Sequence, residues 1–310
     1  MLVGNLLGMS QPNRVTNLGI MQTGTHVGVE IEISTSSSSS QFSSSYWNTV
    51  PEGSVPGFEA VLDRPMAGSE LVIALEEAEQ QISRLSGRDK FPEMTSVHVH
   101  VDIRDMTVTQ LINFLTLSIM FENVLFNYVE HHRSKNHFCL PMTDATDCLN
   151  RLKRFVEQAR TDSLSRDRIR SLFTSDEVKY AGINLSSIPR YGSLEFRMHH
   201  GTADSTALIR WINILLKIKE YAMGGDRSPT NILETKIEVG ISSIFEQVLG
   251  GYSEILGYEG IEDDILDGIR NAQDFVSIYQ LPLGRNPTQD IPDSDSSLFN
   301  QYNQWVESHE

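Results

Sequence analysis

The chain has 310 residues, 39% of them hydrophobic and 21% charged, which allows one large globular domain or two smaller ones. Its net charge of −16 argues against nucleic-acid binding, which is driven by basic surface. Two cysteines, Cys139 and Cys148, make no disulfide framework and fit a reducing compartment.

The N-terminal MLVGNLLGMSQPNR has neither a basic region nor an apolar core, so the sequence predicts no signal peptide and a soluble, cytoplasmic protein. GVEIEIS at 28–34 alternates apolar and acidic residues, the period of a strand with one covered face. The serine tract at 34–45 reads as a flexible hairpin tip or loop. Further strands are expected at 46–50, 57–62 and 69–73, and LEEAEQQISRL predicts a helix ending near Gly87. SVHVHVDI at 96–103 is the second alternating stretch. Thr107 and Gln110 then form a candidate capping box, and Val108, Leu111, Ile112, Leu115 and Ile119 follow at helical spacing. Asn113, Glu122 and Asn123 interrupt this apolar stretch, so it predicts a buried helix rather than a membrane span.

A helical region is expected over 145–173, a strand at 179–187, and the third alternating stretch is SLEFRMHH at 193–200. Asp204 is a candidate N-cap for a helix reaching the glycines at 224–225, and Pro229 a candidate first helical residue. The last 25 residues are rich in Pro, Asp, Ser and Asn. Residues 223–310 hold 16 acidic and 4 basic side chains, so most of the net charge lies there. This predicts an N-terminal arm over 1–23, a compact domain over 24–222 and an acidic, partly helical extension over 223–310. The fold class expected is α+β: a mainly antiparallel sheet with helices on one face and a polar second face.

Strand alternation fixes which side chains share that second face. Glu30 and Glu32 share it on the first strand, His98, His100 and Asp102 on the next, and Glu195, Arg197 and His199 on the third. Each pair alone is an ordinary solvated or ion-paired strand face. Together they crowd carboxylates that repel one another unless a cation intervenes. Carboxylate oxygens with histidine suit Mg²⁺ or Mn²⁺ better than structural zinc, and Arg197 beside them suits phosphate. A rival cluster of His131, His132, His137, Cys139 and Cys148 has no usual zinc-ligand spacing. Arg133, Lys135 and Asn136 beside it are candidate anion contacts. No Walker loop, dinucleotide fingerprint or nucleophile elbow occurs.

The order GVEIE, GSELV, SVHVHV before a long helix, then GSLEFR with GTAD and a Trp-containing helix, resembles the amidoligase family over about residues 24–222. These are carboxylate–amine ligases with a glutamine-synthetase-like fold. The resemblance implies a curved sheet whose polar face binds metal and nucleotide, with ligands Glu30, Glu32, Glu70, Glu195 and one of His98 and His100. It implies a further ligand in PEGS, Glu52, with Asp63 the alternative. It also implies that Arg197 contacts phosphate and that Asn184 faces the same groove. Residues 223–310 lie outside it.

The resemblance further implies Mg²⁺ or Mn²⁺ with ATP, a carboxylate and an amine as substrates, and an acyl-phosphate intermediate. Two other readings fit the same architecture: a guanidino-kinase-like phosphotransferase, and a non-catalytic protein that keeps the fold.

Overall fold

Among the described residues, six strands build one sheet: β1 (Val27–Ser34), β2 (Trp47–Pro51), β3 (Gly57–Leu62), β4 (Ser96–Asp102), β5 (Ile183–Asn184) and β6 (Ser193–His200). All neighbours are antiparallel, in the order β2–β3–β1–β4–β6–β5. The computed structural model describes residues 1–277 apart from 52, 54, 88, 130, 137, 138, 175–177, 226 and 257–260. The final Pro- and Asp-rich 25 residues thus lie outside the described residues.

The β-branched residues of the alternating stretches make the sheet's core face. Val27, Val29, Ile31 and Ile33 of β1 and Val97, Val99 and Val101 of β4 are all buried. The helices around the sheet are α1 (Val3–Leu7), α2 (Gly68–Ser83), α3 (Val108–Met120), α4 (Glu122–Tyr128), α5 (Thr146–Arg160), α6 (Arg166–Phe173), α7 (Ser187–Tyr191), α8 (Ser205–Met223), α9 (Pro229–Val239), α10 (Ile241–Leu249), α11 (Ser253–Leu256) and α12 (Ile261–Val276). The helix α8 lies on β4 and packs against α2 and α3.

The start signals read from the sequence are the ones the chain uses. Thr107 accepts from the Gln110 amide while the Gln110 side chain accepts from the Thr107 amide. Asp204 accepts from the Ala207 amide at 3.0 Å and caps α8. Pro229 opens α9. The stretch 145–173 divides into α5 and α6, with Ser165 capping the second.

Residues 69–73 are helical, not a strand. Leu71, Ala74, Leu75, Ala78 and Ile82 form a buried stripe at helical spacing, so α2 begins earlier than LEEAEQQISRL suggests. The serine tract does not close a hairpin either. β1 pairs with β3 and β4, so the tract crosses to the edge strand β2. Thr35 Oγ1 donates to the Ser86 carbonyl, and Ser37 Oγ accepts from the Ser86 amide, which ties the tract to the end of α2.

The segment after Met223 folds back onto the same core. Ile265, Ile269, Ala272 and Val276 of α12 are buried against α3 and α4. The approach is closest at Gly268, where a Cβ would lie 2.0 Å from the Met120 carbonyl oxygen. No single described helix is long and apolar enough to cross a membrane, and the apolar stretch after Thr107 bends by 56° between α3 and α4.

Candidate functional site

Three cross-strand rows bring the acidic and imidazole side chains together. Glu59 of β3 stands opposite Glu32 of β1. Glu30 stands opposite His98, and His100 stands opposite Glu195, which itself faces Asn184 of β5. Direct opposition puts Cβ atoms about 5 Å apart, within reach of one another's polar ends.

Glu30 is the centre of the cluster. Its Oε2 lies 3.1 Å from His98 Nδ1, and its Oε1 lies 3.3 Å from His100 Nε2. His98 Nε2 meets Ser96 Oγ at 2.8 Å and Glu32 Oε1 at 3.6 Å. Glu32 also accepts from the Ser96 amide at 2.8 Å. Glu195 accepts from Asn184 at 2.6 Å and from Arg197 at 2.6 Å. Burial works against ionising Glu30, yet His100 and His98 beside it hold its carboxyl well below the usual carboxylate range. Burial likewise disfavours the His100 imidazolium, but Glu30 and Glu195 overcome it and raise that pKa.

Two groups have the spacing of cation ligands. One ligand atom each from Glu30, His100 and Glu195 lies within 4.8 Å of the others, and so do those from Glu30, Glu59 and His98. Glu30 belongs to both. The donor set of carboxylate oxygens with one imidazole fits Mg²⁺ or Mn²⁺. His100 Nε2 is buried between the Glu30 and Glu195 carboxylates, 3.3 Å and 3.8 Å away.

Glu59 escaped the sequence reading. The signal was present: Phe58, Ala60 and Leu62 are buried and leave Glu59 on the face of Glu30 and Glu32. Glu70 is not brought into either group. It sits exposed in the first turn of α2, 2.5 Å from Arg64, which also pairs with Asp63. Glu52 lies outside the described residues.

His199 points the other way from the expected face. β6 carries one extra residue against β4 between Phe196 and His199, so His199 comes to stand opposite Val97. Such a bulge reverses the alternation beyond it. His199 is buried with its ring centroid 5.6 Å from that of Trp211 in α8, and burial pushes its pKa down to about 4. Arg133 grips this bulge, donating Nε to the Met198 carbonyl and Nη2 to the Arg197 carbonyl.

Two cavities meet at the cluster and share Glu30 and Arg197. One of about 620 Å³ also exposes His100, Asn184 and Glu195. The other, about 450 Å³, exposes Glu32, Glu59, His98, Arg133 and Asn136. Of the rival zinc cluster, His137 lies outside the described residues. Cys139 and Cys148 are buried, and burial pushes both thiols up to about 12, far from the thiolates that bind zinc.

Fold and cluster define an α+β protein with paired carboxylate–imidazole sites on one sheet. Residues 67–219 match the family model described as "Putative amidoligase enzyme". The matched segment contains His98, His100, Glu195 and Arg197, whereas Glu30, Glu32 and Glu59 come from strands before it. No curated protein matches the chain.

Proposed function

We propose that the protein is an ATP-dependent carboxylate–amine ligase with a glutamine-synthetase-like catalytic domain. The observation that carries this reading is Glu30 shared between two candidate cation sites, with Arg197 at the same point and a cavity on each side. The family match supports ligase chemistry.

Glu30, Glu195 and His100 would hold one divalent cation, and Glu30, Glu59 and His98 a second. Bound there, Mg²⁺ or Mn²⁺ would supply charge neutralisation for phosphoryl oxygens. Arg197, fixed on Glu195, would place its guanidinium against the transferring phosphoryl group. Asn184 would keep Glu195 oriented, and Ser96 would do the same for His98 and Glu32. A substrate carboxylate oxygen attacks the γ-phosphorus and the bond to the ADP oxygen breaks. The amine then attacks the acyl carbon, loses a proton, and phosphate leaves. These residues act by position and charge rather than by covalent chemistry.

Hydroxylamine serves as a general amine to test this. With ATP, Mg²⁺ and a panel of carboxylic acids, the protein should form a hydroxamate and release one phosphate per ADP. Glu195→Gln should abolish both. With a panel of guanidines in place of the acids, ADP formed without free phosphate would overturn the ligase reading in favour of phosphotransfer to a guanidine.

A further inference from the structure

Acidic side chains outnumber basic ones 41 to 25 in this chain, so carboxylates to pair with arginines are plentiful. Arg64, Arg104, Arg151 and Arg270 are all paired in this way. Arg166, Arg170 and Arg190 are not: all three are exposed, line the cavity of about 620 Å³, and make no ion pair among the described residues. Arg166 and Arg170 lie one turn apart on α6, where like charges repel. Arg190 comes from α7, beside Tyr191, whose ring stands edge-on to His100 at 5.6 Å. Glu30, His100, Glu195 and Arg197 line the same cavity.

We propose that Arg166, Arg170 and Arg190 form an anion subsite, which holds an anionic oxygen group of a ligand whose other end reaches the Glu30–Glu195 cluster. Guanidinium forks suit carboxylate and phosphate oxygens, and they offset the repulsion a negatively charged ligand meets from the cluster's glutamates. Two sources share this chemistry. One is the phosphate chain of a nucleotide; the other is an acid substrate with a second carboxylate. Only the link to the cluster's reaction rests on the ligase reading, since the subsite itself is read out by binding.

The experiment measures binding of two probes by calorimetry without turnover: tripolyphosphate with Mg²⁺, and triglutamate. The variants are Arg166→Glu, Arg170→Glu and Arg190→Glu. Arg168→Glu is the control, because it makes the same charge change on α6 at a residue that donates to the Ser163 carbonyl and does not line the cavity. Each cavity variant should weaken at least one probe about tenfold or more beyond the control. Loss confined to tripolyphosphate assigns the subsite to the nucleotide, and loss confined to triglutamate assigns it to the acid. The proposal falls if wild-type protein binds neither probe, or if the cavity variants behave as Arg168→Glu does. Intact subsite binding without Mg²⁺-dependent ADP formation would instead remove the ligase reading alone.

Discussion

Glu30 and His98 face each other across the β1–β4 register, with Nδ1 3.1 Å from Oε2, and Glu30 reaches His100 with its other oxygen. One carboxylate thus lies between two imidazoles. Glu30→Gln should therefore weaken both candidate cation sites at once. Saturating Mg²⁺ or Mn²⁺ should raise the melting temperature of the wild type, equivalent to about 2.7 kcal/mol at a hundredfold excess over Kd. The shift should vanish in Glu30→Gln but persist in part in Glu59→Gln, as differential scanning fluorimetry would show. An equal shift in all three proteins would contradict this.

Arg197 is held on Glu195 at 2.6 Å and approaches His98 Nδ1 at 3.4 Å. Arg197→Lys keeps the charge and loses the fork. ATP turnover should fall on the order of 10²–10³-fold in Arg197→Met and less in Arg197→Lys, with the metal-induced melting shift retained in both. Full turnover in Arg197→Met would exclude a phosphate contact there.

Arg133 is buried and spends two nitrogens on the carbonyls of the β6 bulge. Arg133→Met fills similar space but removes both of these donors. Stability should fall by about 1–3 kcal/mol, and the Arg197 amide, which bonds the Gly182 carbonyl, should exchange faster. Unchanged exchange at Arg197 would show the bulge needs no such clamp.

Glu122 is fully buried, and burial raises its pKa to about 8 although it accepts from the Met142 amide. The unfolded chain ionises this group near 4.5 while the fold keeps it protonated. Its contribution is therefore complete below pH 4.5 and is lost as pH rises to about 8, at about 1.4 kcal/mol per unit. Glu122→Gln should gain on the wild type across that window in urea titrations, with no gain below it. A constant difference at every pH would refute the assignment.

Gly268 has no room for a methyl group beside the Met120 carbonyl. Gly268→Ala should cost about 1–3 kcal/mol or more through overpacking, despite alanine's better helix propensity. A melting temperature at or above the wild type's would mean α12 is not docked on α3.

Period two made most of the site legible before any pairing was known, because Glu30, Glu32, His98, His100, Glu195 and Arg197 each alternate with buried apolar residues. Glu59 carried the same signal in a shorter strand. The position of His199 was not legible: a bulge exists only relative to a partner strand, and the sequence of β6 alone keeps perfect alternation. Residues 69–73 read as a strand because SELVI fits both a short strand and the opening turn of a helix. The arginines of α6 and α7 could not be found by pattern either, since only the tertiary fold sets them around the same cavity as Glu195.

The extra residue in β6 makes one strand work in two phases. Its first half offers Glu195 to the cavities, and after Arg197 the same odd-numbered series turns inward to the helices. Removing a single residue between Phe196 and His199 would restore one phase throughout and exchange the surroundings of His199 and His200. The length of this strand, not only its composition, therefore decides which histidines the site can use.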